Sequence, residues 1–562
     1  MHRAGRAATA CSVRPGIRYH ARTHAQGNHK KVTEASEHCH GRLQPITTPA
    51  DSSASLIRYA SSDTLLVLGP TQEQLAVLAK FGWSGAVVIV SADDAQARVD
   101  QKVGASRTIV GTAHELNGWL GRFQILASDP HGNALTSLSP NPSGRFDLII
   151  DCYETPLLDS PVTPFGYFRT ETPTEMQDAL SAARQLIGNF AKPKYFDYQL
   201  GLCAHHSYGQ SGCTRCLDVC GADAIRSGGH QIEINPYLCQ GCGSCTLACP
   251  TGALTFVAPD RDALLNELRD WAPRPDTGKA ARTLLVSDGP LVEADAGQQT
   301  FLKVEPLTAF GEELWVAALA LGFDRVVLQP TAALEPRTRA LLDQKLDDLH
   351  RMLPALGFSE SAVILLDPEF EQPEAASTAE LVPPGRATQA SMLENPPSRQ
   401  SKRQFLNVVL QALQPAAERE QTPTLNEGAP LGEILVDQDR CTLCSSCAKL
   451  CPTGAIDYSE REQPGTARLT FLESSCVQCG ICVSGCPEQA ITLAPRLAAE
   501  EIRTQRRAVA SSPMAGCVDC GAQFAAQTLL DATVRRLSEN NATEAALEQT
   551  VRCPRCRAAR VG

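Results

Sequence analysis

Long apolar runs are missing from this sequence. Nowhere do about 18 or more apolar residues follow one another, so no segment reads as a membrane span. A basic excess is missing too: 51 Lys and Arg stand against 62 Asp and Glu, for a net charge of -11. That balance excludes broad nucleic-acid binding, which needs basic patches to displace counterions, and suits docking onto the basic faces of partner proteins. The apolar stretch of a secretory signal is absent from the first 50 residues, which hold eight Lys or Arg, two acids and six His. No Gly-x-Gly-x-x-Gly follows the first apolar strand, where Leu68-Gly69-Pro70 ends it, so that region reads as a packing or docking domain rather than a nucleotide site.

What is abundant is cysteine. Of 23 cysteines, all but Cys11, Cys39, Cys152 and Cys203 fall in tight Cys-x2-Cys arrays, the spacing of metal sites rather than disulfides, which implies a reducing, cytoplasmic compartment. A chain of 562 residues is too long for one core and implies several domains at about 100–200 residues each. Residues 1–55, Arg-rich and acid-poor like a transit peptide, read as a disordered extension or as a start codon placed too early. Cys11 and Cys39 lie there and are not expected to be ligands. Cys152 ends an apolar strand and reads as a buried core cysteine.

Three arrays have one spacing: Cys239-x2-Cys242-x2-Cys245-x3-Cys249-Pro250, Cys441-x2-Cys444-x2-Cys447-x3-Cys451-Pro452 and Cys476-x2-Cys479-x2-Cys482-x3-Cys486-Pro487. Each matches the bacterial ferredoxin run, in which three thiolates wrap one iron–sulfur cube and the fourth reaches the neighbouring cube. The last two arrays, with Cys-Pro-Thr-Gly-Ala-Ile at 451–456 and Cys-Pro-Glu-Gln-Ala-Ile at 486–491, resemble a bacterial two-cluster ferredoxin. That resemblance implies that Cys441, Cys444, Cys447 and Cys486 hold one [4Fe–4S] cluster, and Cys476, Cys479, Cys482 and Cys451 a second. Zinc sites want ligands in two pairs rather than four-cysteine runs.

The first pair departs from the pattern. Gln210 stands where the opening cysteine of Cys-x2-Cys213-x2-Cys216-x3-Cys220 belongs, and Gly221 replaces the usual proline. Cys203, ten residues before Cys213, is expected to fill the vacant corner across a loop made pliable by Gly209 and Gly212. The alternatives are a three-cysteine cluster, with His205 or His206 as a further ligand, or a lost cluster; both histidines are expected to face solvent. If the cross-over holds, Cys203, Cys213, Cys216 and Cys249 form one site, and Cys239, Cys242, Cys245 and Cys220 the other. Cys517-x2-Cys520 and Cys553-x2-Cys556 offer a tetrahedral thiolate site for structural zinc, with rubredoxin-like iron as the redox alternative and a helical segment between the pairs.

The fold expected is α/β plus α+β: Rossmann-like α/β domains interleaved with two two-cluster ferredoxin modules and a small cysteine-knuckle tail. The divisions are a Rossmann-like domain at 56–175, the first module at 195–260, a second small α/β domain at 278–368, a linker with one helix at 369–428, the second module at 429–497 and the tail at 510–562. Apolar runs Leu65–Leu68, Ala86–Val90, Phe146–Ile150, Thr283–Val286 and Asp324–Leu328 read as strands, with helices at 174–191, near 311–321 and around 402–413. Glu, Pro, Ala, Ser and Thr between Pro368 and Pro430 suggest a flexible linker separating two electron-carrying halves.

Pro306 to Gln329 resembles the small delta subunit of methyl-viologen-reducing hydrogenases, although no cysteine lies between Cys249 and Cys441. The order of parts from about residue 60 onward resembles a bacterial group of 4Fe-4S ferredoxin-type proteins. That resemblance, with the motifs, implies a relay of single electrons through four [4Fe–4S] clusters between a donor and an acceptor such as a dehydrogenase, hydrogenase or reductase. No catalytic residue set stands out. Competing readings are an enzyme subunit whose α/β domain binds substrate or flavin, and a cluster-based sensor or scaffold.

Overall fold

The computed structural model describes residues 44–45, 55–92, 106–136, 138–272, 282–289, 299–368, 393, 401–413, 422–460 and 464–561. Cys11 and Cys39, with nearly all of the 1–55 extension, lie outside them. Leu65–Leu68 (β1), Val87–Ser91 (β2), Ser106–Val110 (β3), Leu148–Asp151 (β4) and Tyr167–Arg169 (β5) form a sheet in the order β3-β2-β1-β4-β5, with every neighbouring pair parallel. β1, β2 and β4 are buried at every position, which explains their unbroken apolar sequence: both faces of the sheet are covered. Helix α1, Gln72–Phe81, opens on a Thr71 capping box and stops at Gly82, whose φ is 68°. The turn after β1 packs under the ring of Tyr153, which a Cβ on Gly69 would strike.

The helix expected over 174–191 is shorter. Helix α2 is Pro173–Gln185, and Gly188–Pro193 is a strand antiparallel to Leu56–Ser61. Phe190 and Lys192 point inward there and Asn189 and Pro193 outward, the two-residue period of a strand, but an inward lysine hides that period from a hydrophobicity pattern.

The second parallel sheet is Thr283–Ser287 (β6), Gln299–Lys303 (β7), Arg325–Gln329 (β8) and Val363–Leu365 (β9), ordered β7-β6-β8-β9. Helix α3, Glu312–Ala320, is buried along its whole length, including Glu312 and Glu313. Helix α4, Pro336–Leu356, begins where the Glu335 carboxylate accepts from the N–H groups of Arg337 and Thr338.

The two cysteine modules share one plan. In the first, Phe196–Tyr198 pairs antiparallel with Leu254–Phe256 and encloses the hairpin Ile225–Ser227 with Ile232–Ile234. In the second, Gly432–Val436 pairs with Ile491–Pro495 and encloses Ile456–Ser459 with Thr466–Phe471. Strand Arg507–Gly516 continues the second hairpin and carries Gln523–Ala526 beyond it, so the tail is joined to this module by a four-stranded sheet and is not a separate appendix.

The flexible linker expected at 369–428 needs correction at its helix. Helix α5, Lys402–Leu413, is buried, and one apolar core contains Leu247 and Ala248 of the first module, Trp315 of α3, Phe405, Val409 and Leu410 of α5, and Leu431 and Leu497 beside the second module. Its amphipathic face finds partners on both sides, which composition does not register. Residues 369–392, 394–400 and 414–421 of that segment lie outside the described residues. No described helix is long and apolar enough to cross a membrane.

Phe405 is 1% exposed in this shared core. Phe405→Ala is therefore expected to lower stability by about 3–5 kcal/mol in urea unfolding, from lost transfer energy and the cavity left behind. A loss below about 0.5 kcal/mol, ordinary for a surface site, would show that α5 does not brace the modules.

Candidate iron–sulfur centres

The Cys-x2-Cys-x2-Cys loops turn by the same backbone device. The second and fourth residues after the opening cysteine have left-handed φ in each: Gly241 at 81° and Gly243 at 74°, Leu443 at 53° and Ser445 at 63°, Gln478 at 52° and Gly480 at 80°. Non-glycine residues accept this strain in two loops, as they do where surrounding structure over-determines a site. The loop curls its three thiols inward, and the short helices Ser244–Ala248, Ser446–Leu450 and Ile481–Ser484 follow at once.

The remote cysteines close the sets. Electrostatic interaction links Cys447 with Cys441, Cys444 and Cys486, and Cys482 with Cys476, Cys479 and Cys451 and, least, with Cys447 of the neighbouring set. In the first module it links Cys216 with Cys213, Cys249 and Cys203, and Cys245 with Cys239, Cys242 and Cys220 and, least, with Cys216 of the neighbouring set. The stronger of these interactions follow the groupings expected from the motif cross-over. One cavity is lined by Cys220, Cys239, Cys242 and Cys245, and another by Cys441, Cys444, Cys447 and Cys486. Among the described residues, only the tail cysteines draw their ligand atoms within 4.8 Å of one another. The sixteen module cysteines are spread too widely for a single ion with ligands at about 2.3 Å, and a polynuclear cluster fits them better.

Burial and neighbouring thiols push Cys239 up to about 11 and Cys447 up to about 12, and raise Cys245 and Cys482 well above the usual thiol range. Such thiols would give up their protons only on binding a cationic iron core, so loading would release protons. Backbone N–H groups then support the sulfur charge: Ala224 donates to Cys220 Sγ at 3.3 Å, Leu254 to Cys249 at 3.5 Å and Ala490 to Cys486 at 3.4 Å.

The irregular array has a physical account. Gly212 and Thr214, at the positions that turn the other loops, are not left-handed, and Thr214 has φ -113°. The chain instead makes a 3-10 turn, Leu200–Leu202, that ends on Cys203, just as Glu473–Ser475 ends on Cys476. A small hairpin, His206–Ser207 with Gln210–Ser211, fills the interval to Cys213. His205 is buried rather than solvent-facing, its Nδ1 2.9 Å from the Cys213 carbonyl oxygen and its Nε2 2.8 Å from Ser227 Oγ, so neither nitrogen is left for iron. His206 packs edge-on against His230. Gly221 stands where proline is usual because the Glu335 side chain lies 2.9 Å from where its Cβ would sit. Cys152 is half-buried at the rim of a core rather than inside it, its Sγ 3.1 Å from Thr170 Oγ1.

Composition gave no sign of several cations beside these sets. Lys192, 1% exposed, donates to the carbonyls of Tyr237, at 3.0 Å, and Cys239. Lys402 donates to the Leu247 carbonyl at 2.7 Å, and Arg403 to those of Ser474 at 2.9 Å and Glu473 at 3.1 Å. Two consecutive cations in the first turn of a helix oppose its dipole, and that local misfit was the readable signal.

In the tail, Cys520 and Cys553 have sulfur atoms 3.8 Å apart, the edge expected of a tetrahedron with ligands about 2.3 Å from a metal. N–H donation, first from Cys553, pulls Cys517 down to about 6, whereas the neighbouring thiols, Cys520 foremost, push Cys556 up to about 12. The interval contains helices Gln527–Glu539 and Glu544–Thr550, and Thr528 donates to the Thr442 carbonyl at 3.2 Å beside the Cys441 loop. Cys556→Ser is expected to abolish metal at this site while leaving the iron and sulfide content intact. Elemental analysis of the purified variant checks both halves of that expectation, and loss of iron in step with the tail metal would contradict it.

Residues 440–490 match the family described as 4Fe-4S dicluster domain, and residues 232–255 match the 4Fe-4S binding domain. The second match stops short of Cys203, Cys213, Cys216 and Cys220. The ferredoxin-type protein NapF of Escherichia coli (strain K12) is 41% identical over 54 residues, 9% of this chain and 33% of that protein, so the chain matches only a third of that relative's length. A ferredoxin of Alicyclobacillus acidocaldarius subsp. acidocaldarius is 34% identical over 59 residues, which are 10% of this chain and 76% of that protein. With most of a ferredoxin contained in it and two iron–sulfur domains matched, this chain belongs to the bacterial 4Fe-4S ferredoxin-type proteins.

Proposed function

We propose that this iron–sulfur electron-transfer protein holds four [4Fe–4S] clusters and relays single electrons between two redox proteins. Cys203, Cys213, Cys216 and Cys249 hold one; Cys220, Cys239, Cys242 and Cys245 the second; Cys441, Cys444, Cys447 and Cys486 the third; Cys451, Cys476, Cys479 and Cys482 the fourth. The observation that carries this reading is the exchange of remote cysteines within both modules: Cys216, Cys245, Cys447 and Cys482 each interact most strongly with three other thiols, a remote cysteine among them. Bound clusters of this type supply reversible one-electron chemistry. The protein's own contribution is to hold the thiolates, donate N–H groups to sulfur and keep water out with residues such as Leu254 and Ile491, 2% and 3% exposed.

Cys242 is the one exposed thiol of the sixteen, so the second set comes nearest to a docked partner. The parallel sheets, read as Rossmann-like α/β domains with the Pro306–Gln329 segment hydrogenase-delta-like in scaffold, serve as docking bodies for a dehydrogenase, hydrogenase or reductase. The tail cysteines hold a structural zinc, because their fourfold close grouping ties a segment of few apolar residues to the second module. A reducing, cytoplasmic setting suits thiols kept for metal.

Anaerobically purified protein is expected to contain about sixteen iron and sixteen sulfide per chain, with one zinc, and to show reduced-cluster EPR signals. Cys203→Ser should lose about a quarter of the iron or convert one signal to a three-iron type. Colourless wild-type protein, or reduced protein that passes electrons to no added acceptor, would refute the proposal.

A further inference from the structure

Two of the four cysteine sets face each other where the modules meet. The hairpin that replaces the missing first loop touches the helix after Cys479: Ser484 Oγ donates to the Ser211 carbonyl at 3.3 Å, and Arg215 Nη2 donates to the Gln478 carbonyl at 3.2 Å. A Cβ on Gly212 would lie 2.6 Å from the Ala204 carbonyl oxygen and 3.3 Å from the Ile481 side chain, so the close approach depends on glycine. Cys213 and Cys479 stand on opposite sides of this seam and interact across it.

Cations are concentrated at the same seam. Arg403 is 5% exposed; its Nε and Nη2 are used on the Ser474 and Glu473 carbonyls, immediately before Cys476. Its Nη1 is buried with no hydrogen-bond partner among the described residues, and so is Nη1 of Arg215, which lies between Cys213 and Cys216 in the chain. A buried guanidinium nitrogen without a partner costs stability unless an acceptor or opposite charge faces it. Glu312 and Glu313 pair directly with Lys345 and Lys402; Glu312 also attracts both arginines, and Glu473 attracts Arg403, but the largest attraction on Arg403 comes from Cys476, and Arg215 acts on Cys213. Four thiolates on an iron–sulfur core carry net negative charge, and sulfur accepts hydrogen bonds.

We propose that Arg215 and Arg403 set the reduction potential of the two junction sites, the set of Cys203, Cys213, Cys216 and Cys249 and the set of Cys451, Cys476, Cys479 and Cys482. The proposal rests on the four-cluster reading. Each arginine stabilises the additional negative charge that a one-electron reduction by an external reductant brings to the adjacent site, and so raises its potential above the value the thiolates alone would give. The inter-module seam thereby becomes a place where the added electron is favoured on both sides.

The test is an EPR-monitored redox titration of the full chain, purified without oxygen, as wild type, Arg215→Gln, Arg403→Gln and Arg403→Lys, with Cys213→Ser and Cys479→Ser assigning the junction signals. The expected result is unchanged iron and sulfide, a downward shift of a junction potential in each Gln variant, unmoved outer signals, and recovery of the shift in Arg403→Lys. Full iron content with all potentials unmoved, or with all four shifted equally, overturns the proposal. Should Arg403→Gln lose iron, Arg215→Gln, at a half-buried position, decides by the same criterion. Wild-type protein without iron would instead overturn the four-cluster reading and this proposal with it.

Discussion

Lys402 and Arg403, consecutive at the start of α5, reach in different directions. The first binds the carbonyl of Leu247, two residues before Cys249, and the second binds those of Glu473 and Ser474, just before Cys476. One rigid helix thus holds a ligand-bearing turn of each module. The apolar face of α5 secures this arrangement, since Phe405, Val409 and Leu410 share one core with α3 and with residues flanking both modules. Hydrogen bonds to charged donors are among the stronger ones a protein makes, and in this dry setting, losing either partner would leave buried polar groups unsatisfied. The relative placement of the cysteine sets depends on this brace.

The departures from the regular cysteine pattern fall together in space. Gln210, in place of an opening cysteine, lies in the hairpin that meets the second module, and its side chain approaches Gly485. The ten-residue interval from Cys203 to Cys213 therefore builds the surface on which the other module rests, and in the proposed reading it also returns a thiol to its set. Gly221 gives up the usual proline beside Glu335, whose carboxylate caps α4, while Arg337 of the same helix donates to the Cys220 carbonyl at 2.8 Å. Each irregularity marks a contact that a free-standing ferredoxin would not make.

Charge is distributed to match. The chain is acidic overall, at -11, yet Lys192, Arg215, Lys402 and Arg403 lie close to cysteine sets. An acidic exterior favours encounter with basic partners, while interior cations balance the charge of thiolate-bound metal. At the same turn of the second module, Arg496 and Arg507 bracket the fully buried Glu473, at 2.8 Å and 3.1 Å, and tie the strand that leads to the tail onto the module's edge.

Spacing along the chain was enough to recognise the ferredoxin-type arrays, because a loop of two intervening residues between cysteines leaves little conformational choice, and the strands of unbroken Leu, Val and Ile were legible because a doubly covered sheet demands them. The short strands β7 and β9, the inward Lys192 and the strand after α2 were not legible, since polar or brief segments carry no periodic signal. Nor could composition distinguish a helix crossing a loose linker from one sealed between two modules, because amphipathicity states that a face is buried and not against what. Residue spacing alone pointed to an iron–sulfur protein, because the four-cysteine run is itself a local pattern. That the two modules share a core and a seam is visible only in the folded chain, because those contacts join residues as far apart as Arg215 and Gln478, whose proximity no local pattern encodes.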